Sequence, residues 1–419
     1  METIFAESTP PGRGGVSIVR VSGPRSREVA EILAGPLPEP RYCYYRSIRD
    51  GDDIIDRALV LRFDAGSSFT GEASCEFQLH GAPVVVRRLE EALLRNGLRR
   101  AEAGEFTLRS FVAGQMDLAE VEGLSDLLAA ETEAQRKLAV EAATGSLGRV
   151  ASIWREKLLE AGSLLTASID FADEEIPDDV ADHVWQLIAD VRSSIREELT
   201  GYPARARLRE GFEVALVGAP NAGKSSLMNA IARKDIAIVT EQPGTTRDVV
   251  EFRADLRGLP VTFLDTAGIR ETDDLVEGIG IERTRSRAEG ADLRIFIGDA
   301  PENVADLARP DDLFVKSKGD ITGDADAISS VTGKGVDDLL NDVFSVLRDR
   351  VTQSGVSSHA RQADAMENAA LSLEVAADTP AELLSEALRE AHHHLERLVG
   401  RVDVEDYLGR VFSSFCIGK

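Results

Sequence analysis

One nine-residue segment restricts the fold of this 419-residue chain more than any other. Residues 218–226 read Gly-Ala-Pro-Asn-Ala-Gly-Lys-Ser-Ser and have the spacing G-x-x-x-x-G-K-S. The segment follows an apolar run at 212–217, suited to a buried strand, and precedes a helix-like stretch at 227–231. In that setting the glycines let successive backbone N–H groups point at phosphate oxygens at the start of a helix. The sequence therefore predicts a nucleotide-binding strand–loop–helix unit.

The residues around this loop predict how phosphate and Mg²⁺ would be held. Lys224 supplies a cation for the β- and γ-phosphates, and Ser225 supplies a hydroxyl ligand for Mg²⁺. Thr246, in a polar loop, can complete the coordination of Mg²⁺ and sense the γ-phosphate. Asp265 ends an apolar strand and would hold Mg²⁺ through water, while the Gly268 N–H would meet the γ-phosphate.

Two later segments predict that the base is guanine. Asp320 of Ser317-Lys318-Gly319-Asp320 can accept hydrogen bonds from the guanine N1–H and exocyclic amine, which adenine does not offer in that arrangement. Ser329-Ser330 would support the base. Ser317 stands where this motif usually has asparagine, and the loss of one amide contact is worth about 1 kcal/mol. We therefore expect weak guanine binding with fast exchange.

The residue after Gly268 excludes one way of catalysing GTP hydrolysis. Ile269 stands where Ras-like proteins place the glutamine that orients the attacking water, and its side chain has no donor or acceptor. Help must come from a nearby acid, a cation or a second subunit. Glu277, in the segment 273–280, is the best local candidate for the acid, although an exposed loop carboxylate is an equally good interpretation of its position.

Composition limits the class of protein. A hydrophobic content of 43% indicates a folded chain, and three cysteines without metal-like spacing fit a reducing compartment. The N-terminus lacks the pattern of a signal peptide, and no apolar run approaches the ~20 residues of a membrane span, so we expect a cytoplasmic protein with no membrane contact.

The charge distribution argues against a general nucleic-acid coat. The net charge is −25, but residues 1–118 carry 15 basic and 17 acidic side chains, so the excess acid lies beyond them. Arginines cluster at 87–100 and at 205–209. A solvated helix face is the favoured interpretation of both clusters, and an RNA contact stays open.

The pattern along the chain predicts a multidomain α/β protein in four segments. Short β-type runs and one helix near 83–96 predict a small α+β domain at 1–118. Residues 119–210 read as helical, with a helix over 179–200 that Gly201-Tyr202-Pro203 ends. Alternating strands and helices at 211–350 predict a doubly wound, Ras-like sheet. Residues 351–419 are again helical and include a helix from a capping box at Thr379–Glu382 to about Leu398, so the α/β unit is inserted into one helical domain.

These features together resemble the bacterial tRNA modification GTPase family known as MnmE or TrmE. The resemblance runs from end to end. It is carried by the following segments: Thr9–Gly15, Arg20, Ser22–Pro24, Phe69–Glu72, Gly104–Thr107, Ile169–Phe171, Gly278–Glu282 and the terminal Phe415-Cys416-Ile417-Gly418-Lys419. It implies that 1–118 binds folate and dimerises, that 119–210 and 351–419 form the helical domain, and that 211–350 is the GTPase domain.

The resemblance implies a potassium-dependent GTPase in which the GTPase domains of two subunits meet. K⁺ would offset negative charge on the transferring phosphoryl group, as an arginine does in other GTPases. Its implied ligands are Asn221, Thr240, Gln242 and Thr245, with Mg²⁺ on Ser225 and Thr246. Glu277 matches the family's water-orienting glutamate, and it and Lys224 are the implied catalytic residues. The full GTP-binding set comprises Asn221, Ala222, Gly223, Lys224, Ser225, Ser226, Thr240, Glu241, Gln242, Pro243, Gly244, Thr245, Thr246, Asp265, Thr266, Ala267, Gly268, Ser317, Lys318, Asp320, Ser329 and Ser330.

The resemblance also implies a site for 5-formyl- or methylene-tetrahydrofolate at Arg20, Glu76, position 115 and Lys419. A carboxylate such as Glu76 suits the donor-rich edge of a pterin, while arginine and lysine suit a ligand that bears carboxylates. Gln115 stands where the family often has lysine, which removes one charged contact.

The resemblance further implies that a homodimer joins the flavin-dependent protein MnmG in a heterotetramer. Together they would add a carboxymethylaminomethyl group to C5 of the wobble uridine in certain tRNAs, with the one-carbon unit drawn from tetrahydrofolate. Two other classes of GTPase are alternatives. A ribosome-assembly GTPase shares the phosphate loop and Ile269 but would bring a basic RNA-binding module. A dynamin-like membrane GTPase would need an apolar or basic membrane-contacting surface. The sequence shows neither.

Overall fold

The computed structural model forms two compact units. It describes residues 2–170, 179–219, 221–234, 236, 251–265, 285–298, 305–351, 355–400, 402, 405–413, 415 and 418. The first unit contains Met1–Ser125 and Leu395–Lys419, and the second contains Asp126–His394. The finer division into four segments remains a prediction.

The first unit is built on a six-stranded sheet of order β3-β4-β5-β2-β1-β6. Neighbouring strands are antiparallel except β1 and β6, which are parallel. The sequence favours these strands because apolar and polar residues alternate, as in the buried Val19 and Val21 of β2. The strands are β1 Ile4–Glu7, β2 Gly14–Ser22, β3 Tyr44–Asp50, β4 Asp53–Phe63, β5 Ser74–Gly81 and β6 Arg99–Arg100.

Two helices pack against this sheet and form a hydrophobic core with it. Buried aliphatic residues of α1 and α2, among them Val29 and Leu89, pack in a cluster with Phe5 and Phe77 from the strands. The α+β character predicted for this part of the chain is therefore present. The helices at the start of the chain are α1 Ser26–Ala34, α2 Pro83–Arg95, α3 Glu105–Val112 and α4 Leu118–Ala129.

The C-terminal tail belongs to the first unit. Phe412 and Phe415 form a buried cluster with Val121. Farther along the tail, the Ser8 hydroxyl donates a hydrogen bond of 2.9 Å to the Gly418 carbonyl. The end of the chain is thus held beside the first strand.

The helical part of the second unit contains two long helices, α6 Ser146–Asp170 and α7 Asp179–Glu210. Their buried side chains include Trp154 in α6 and Val191 in α7. The Trp154 indole N–H donates to the Ser194 hydroxyl over 3.0 Å and so ties them together. The helices of this part are α5 Glu133–Ala143, α6 Ser146–Asp170, α7 Asp179–Glu210, α11 Ala360–Ser372 and α12 Ala381–Leu398, and α13 Glu405–Ser413 follows in the tail. The helix predicted from the capping box to about Leu398 is confirmed.

The predicted end of a helix at residues 201–203 is wrong, because α7 continues through Pro203 to Glu210. A proline inside a helix costs about 3 kcal/mol. Contacts beyond it stabilise the last part of the helix: Arg205 pairs with Glu141, and the Arg209 Nε donates to the Ser358 carbonyl over 3.0 Å. Tertiary contacts thus override the local signal.

The second sheet has the order β11-β10-β7-β9-β8. All neighbouring pairs are parallel except the β8–β9 pair, which is antiparallel. Its strands are β7 Phe212–Gly218, β8 Glu251–Leu256, β9 Leu259–Asp265, β10 Leu293–Ile297 and β11 Leu313–Val315, and its helices include α8 Lys224–Ala232, α9 Gly319–Thr322 and α10 Val336–Arg350.

Both faces of this sheet are buried. Val214 and Leu216 of β7 pack in a cluster with residues of α8 and α10, whereas Ala215 and Val217 pack with Ala288 on the opposite face. Alternate residues of one strand thus meet different helices, which is the doubly wound arrangement that the sequence predicts. Among the helices that the structure describes, none has the length and apolar character needed to cross a membrane.

Candidate functional site

The phosphate-binding segment lies between the carboxyl end of β7 and the amino end of α8. Gly223, at the start of α8, has φ +104°, a conformation that favours glycine. Asn221 adopts φ +63°, which is uncommon for a residue with a side chain. These two conformations lead into the first turn of α8, whose N–H groups without helical partners are available to bind an anion.

The Lys224 ammonium is directed back into this loop. Its Nζ donates to the carbonyls of Gly218 at 2.6 Å and Ala219 at 2.9 Å. Burial lowers the pKa of Lys224, and the nearby Asp265 carboxylate opposes that shift. A phosphate in place of the two carbonyls would bring negative charge next to the Lys224 ammonium and favour its charged form.

Ser225 and Asp265 form the candidate Mg²⁺ site. The Ser225 hydroxyl donates to Asp265 Oδ2 over 2.7 Å, and Asp265 is buried at the carboxyl end of β9. A hydroxyl and a carboxylate are hard oxygen donors, and Mg²⁺ prefers few protein ligands together with phosphate oxygens. The pair therefore fits the ion that the sequence assigns to it.

The base-recognition residues meet at α9. The Ser329 hydroxyl donates to Asp320 Oδ1 over 2.7 Å, which fixes one oxygen of that exposed carboxylate. Lys318 has φ +61°, so the chain turns sharply before Gly319. Ser329 is buried and Ser330 half-buried. Sequence-predicted Asp320 and Ser329 are therefore in direct contact.

Ser317 makes a contact that sequence reasoning missed. Its hydroxyl donates to the Ala222 carbonyl over 2.6 Å and so connects the base-recognition segment to the phosphate loop. The same hydroxyl oxygen lies 3.7 Å from the position of a Cβ built on Gly223. The only sequence signal was the serine itself, a hydrogen-bonding residue in the place of asparagine.

Part of the predicted GTP site falls outside the described residues. This holds for the K⁺ ligands Thr240, Gln242 and Thr245, for Glu277, and for the Mg²⁺ ligand Thr246. The same is true of Glu241, Pro243, Gly244, Thr266, Ala267, Gly268 and Ile269. Their roles remain predictions.

Three predicted folate residues share one region of the first unit. Arg20 and Glu76 are direct partners across β2 and β5, and Arg20 Nε lies 3.0 Å from Glu76 Oε1. Gln115 is close to Gly71, because a Cβ built on that glycine would lie 3.2 Å from Gln115 Cγ. Lys419 is not among the residues that the structure describes.

Two aromatic rings lie close to the Arg20 guanidinium. Its guanidinium carbon lies 5.3 Å from the centre of the Phe69 ring and 5.7 Å from that of Phe106. Phe106 is fully buried, whereas Phe69 is 37% exposed. In the sequence, Phe69 belongs to a segment that carries the family resemblance, but nothing there predicts a role for its side chain.

The arginine clusters are largely engaged with carboxylates. Arg88 pairs with Asp53 at 3.0 Å, and Arg99 pairs with Glu105 at 2.6 Å. In the second cluster, Arg207 pairs with Asp292 at 3.0 Å. These pairs favour an ion-paired surface over a phosphate-binding one. The interpretation of the first cluster as a helix face is wrong for Arg99 and Arg100, which form β6, whereas Arg88 lies in α2.

Comparison with known proteins identifies the family. A family model described as "MnmE helical domain" matches residues 118–416, and one described as "GTP-binding protein TrmE N-terminus" matches residues 3–115. The chain belongs to the MnmE (TrmE) family of GTPases. One relative named tRNA modification GTPase MnmE, from Paracoccus denitrificans (strain Pd 1222), is 56% identical, with 100% of both chains covered. Another MnmE, from Ruegeria sp. (strain TM1040), is 48% identical, again with 100% of both chains covered.

Solved structures give a further comparison. The G domain of the FeoB iron transporter from T. maritima is 23% identical, with 32% of this chain and 98% of that chain covered and a TM-score of 0.24.

Proposed function

We propose that this MnmE family member is a potassium-dependent GTPase of tRNA wobble-uridine modification. The observation that carries the proposal is the phosphate loop at 218–226, bonded to Asp265 through Ser225, in a chain that also has Asp320 beside Ser329 and matches MnmE relatives over its full length. GTP would be the substrate, and its hydrolysis would drive dimerisation of the GTPase domains and a conformational cycle.

The protein's own groups would position and neutralise the triphosphate. The Lys224 ammonium would leave the carbonyls of Gly218 and Ala219 for phosphate oxygens, and the N–H groups at the start of α8 would point at the same anion. Ser225, Thr246 and Asp265 would hold Mg²⁺, which offsets charge on the phosphates when bound.

Asn221 would hold K⁺ together with Thr240, Gln242 and Thr245. Asn221 is exposed within the loop, and its side chain has no hydrogen-bond partner among the described residues. An amide oxygen at that place is a suitable donor for an alkali cation. Because Ile269 cannot orient water, Glu277 would take that role.

The first unit would bind a tetrahydrofolate derivative through Arg20, Glu76, Gln115 and Lys419. The ion pair of Arg20 with Glu76 supports this proposal. In the part of the chain that is described, one carboxylate oxygen of Glu76 and both terminal nitrogens of Arg20 have no hydrogen-bond partner. The protein would act as a homodimer with the flavin-dependent MnmG and install a carboxymethylaminomethyl group on tRNA, in the cytoplasm.

The test is GTP turnover by the full chain in K⁺ and in Na⁺ at equal ionic strength. We expect K⁺ to raise kcat at least tenfold, because each transition-state charge contact is typically worth more than 1.4 kcal/mol. In K⁺, Glu277→Ala should lower kcat by about 10²-fold while the affinity for GDP stays within a factor of two.

Equal turnover in the two salts would contradict the role of K⁺. Glu251→Ala is a matched control, since Glu251 is an exposed carboxylate at the start of β8. It should turn over GTP like the wild type. A Glu277→Ala variant that also kept the wild-type rate would remove Glu277 from the mechanism.

A further inference from the structure

We propose that Phe69 is a positioning residue of the folate site, which holds the Arg20 guanidinium in the orientation that an anionic ligand needs. This inference rests on the proposed folate site. The observation that carries it is the closeness of the Arg20 guanidinium to two rings, the exposed Phe69 at 5.3 Å and the buried Phe106 at 5.7 Å.

The free hydrogen-bonding capacity of Arg20 lies at its outer end. Its Nε is committed to Glu76, and the four N–H groups of the two terminal nitrogens have no partner among the described residues. The side chain is 22% exposed. A guanidinium in this state can form two parallel hydrogen bonds with a carboxylate, but only if its plane is held.

The two rings hold that plane. Phe106 is fixed in the core, so it limits movement of the guanidinium inward. Phe69 is more exposed, and its ring lies 5.3 Å from the guanidinium carbon, within the distance of about 6 Å at which a ring attracts a cation. Without Phe69, Arg20 would sample other rotamers and lose its alignment with the ligand.

Phe69 can act in this way because its loop is anchored on both sides. The Ser22 hydroxyl contacts the Thr70 hydroxyl at 2.7 Å and Glu72 Oε2 at 2.7 Å. Arg109, whose side chain is 5% exposed, donates to the same Glu72 oxygen over 2.8 Å. The loop is therefore pinned to the strand that carries Arg20 and to α3.

The same loop also places Gln115. Gly71 has φ +74°, and a Cβ built on it would lie 2.9 Å from the Ala113 Cβ. Only a glycine permits this approach without displacing the Ala113–Gln115 segment. Loop 69–72 thus sets the positions of Arg20 and Gln115 together, although neither residue belongs to it.

The experiment is a double-mutant cycle with Arg20→Lys and Phe69→Leu in the full chain, with 5-formyl-tetrahydrofolate as the probe in isothermal titration calorimetry. We expect Phe69→Leu alone to weaken binding roughly five- to tenfold, and Phe69→Tyr to restore affinity within a factor of two. In the Arg20→Lys background, Phe69→Leu should have less than a twofold further effect, because lysine has no plane to hold.

A purely structural role would give a different result. If Phe69 only stabilised the fold, its effect on affinity would be the same in both backgrounds and would follow the loss of thermal stability. That outcome would overturn the inference. Phe314→Leu is the matched control, since Phe314 is also an exposed phenylalanine but lies in the nucleotide-binding unit. It should leave folate affinity unchanged.

Failure of the folate site itself is distinguishable. If Arg20→Ala and Glu76→Gln both bind the probe like the wild type, the proposed folate site is wrong. If these variants lose binding while Phe69→Leu retains wild-type affinity, the site stands and the role of Phe69 is wrong.

Discussion

At the scale of single residues, Ser317 connects the base-recognition segment to the phosphate loop. Its hydroxyl binds the Ala222 carbonyl, and the N–H and C=O of a trans peptide point in opposite directions. Fixing the Ala222 carbonyl therefore fixes the direction of the Gly223 N–H, one of the donors that the phosphate loop uses. Ser317 also lies three residues before Asp320, so one hydroxyl links phosphate binding to base recognition.

We predict that Ser317→Ala weakens GDP binding about fivefold, mainly through faster release, because a hydrogen bond of this kind is worth about 1 kcal/mol. Ser317→Asn should bind GDP at least as tightly as the wild type. Displacement of a fluorescent GDP analogue in a stopped-flow instrument measures both.

The control for this prediction is Ser163→Ala, which removes an exposed hydroxyl bonded to the Leu159 carbonyl in α6. It should release GDP at the wild-type rate. A Ser317→Ala variant with unchanged release would show that the contact with Ala222 carries no binding energy.

At the scale of elements, α3 is attached to the first sheet by a chain of charges. Glu105, at the start of α3, accepts from Arg99 at 2.6 Å and from Arg109 at 2.9 Å. Burial acts to raise the pKa of Glu105, but hydrogen bonds from Arg99, the Glu102 N–H and Arg109 outweigh it and lower the pKa to about 2. The folded protein therefore favours the ionised carboxylate.

This shift predicts acid sensitivity of the first unit. A carboxyl group with a lowered folded-state pKa stabilises the fold above its unfolded pKa, near 4.5, and loses that contribution as the pH falls towards about 2. Glu105→Gln should lower the free energy of unfolding by about 2–3 kcal/mol at pH 7 and by much less at pH 3. Scanning calorimetry of both proteins from pH 7 to pH 3 measures the difference.

Glu28→Gln is the control for this prediction, because Glu28 forms an exposed ion pair with Arg25 at 3.0 Å. Exposed pairs contribute little, so its effect should be small at every pH. A constant offset between Glu105→Gln and the wild type from pH 7 to pH 3 would contradict the role of the Glu105 charge.

Elements also show what could be predicted from the sequence. The motif residues Lys224, Ser225, Asp265 and Asp320 follow local rules of spacing, and the structure places them at the ends of the expected strands and helices. The course of α7 could not be predicted, because Pro203 gives the local signal of a helix end. Its continuation depends on partners distant in sequence, such as Glu141 and Ser358.

The role proposed for Phe69 could not be predicted from the sequence either. An aromatic residue in a loop gives no periodic signal, and its neighbour Arg20 lies in a different strand. Only the pairing of β2 with β5 and the anchoring of the loop to α3 bring the two together.

At the scale of the whole molecule, the two compact units carry different candidate chemistry. The phosphate loop, Asp265 and Asp320 lie in the second unit, whereas Arg20, Glu76 and Gln115 lie in the first. The last residues of the chain belong to the first unit as well. Two sites built in separate cores can be removed independently.

We therefore predict that deletion of residues 416–419 abolishes binding of 5-formyl-tetrahydrofolate. The Ser8–Gly418 hydrogen bond holds the tail beside the first strand, and the deletion removes both that contact and Lys419. The affinity for GDP should stay within a factor of two, because the phosphate loop lies in the other unit. Titration calorimetry with each ligand measures both affinities. Lys419→Ala tests the charge of Lys419 separately from the anchoring of the tail. If Lys419→Ala binds folate like the wild type and the deletion does not, the effect belongs to the tail backbone and Lys419 is not part of the site.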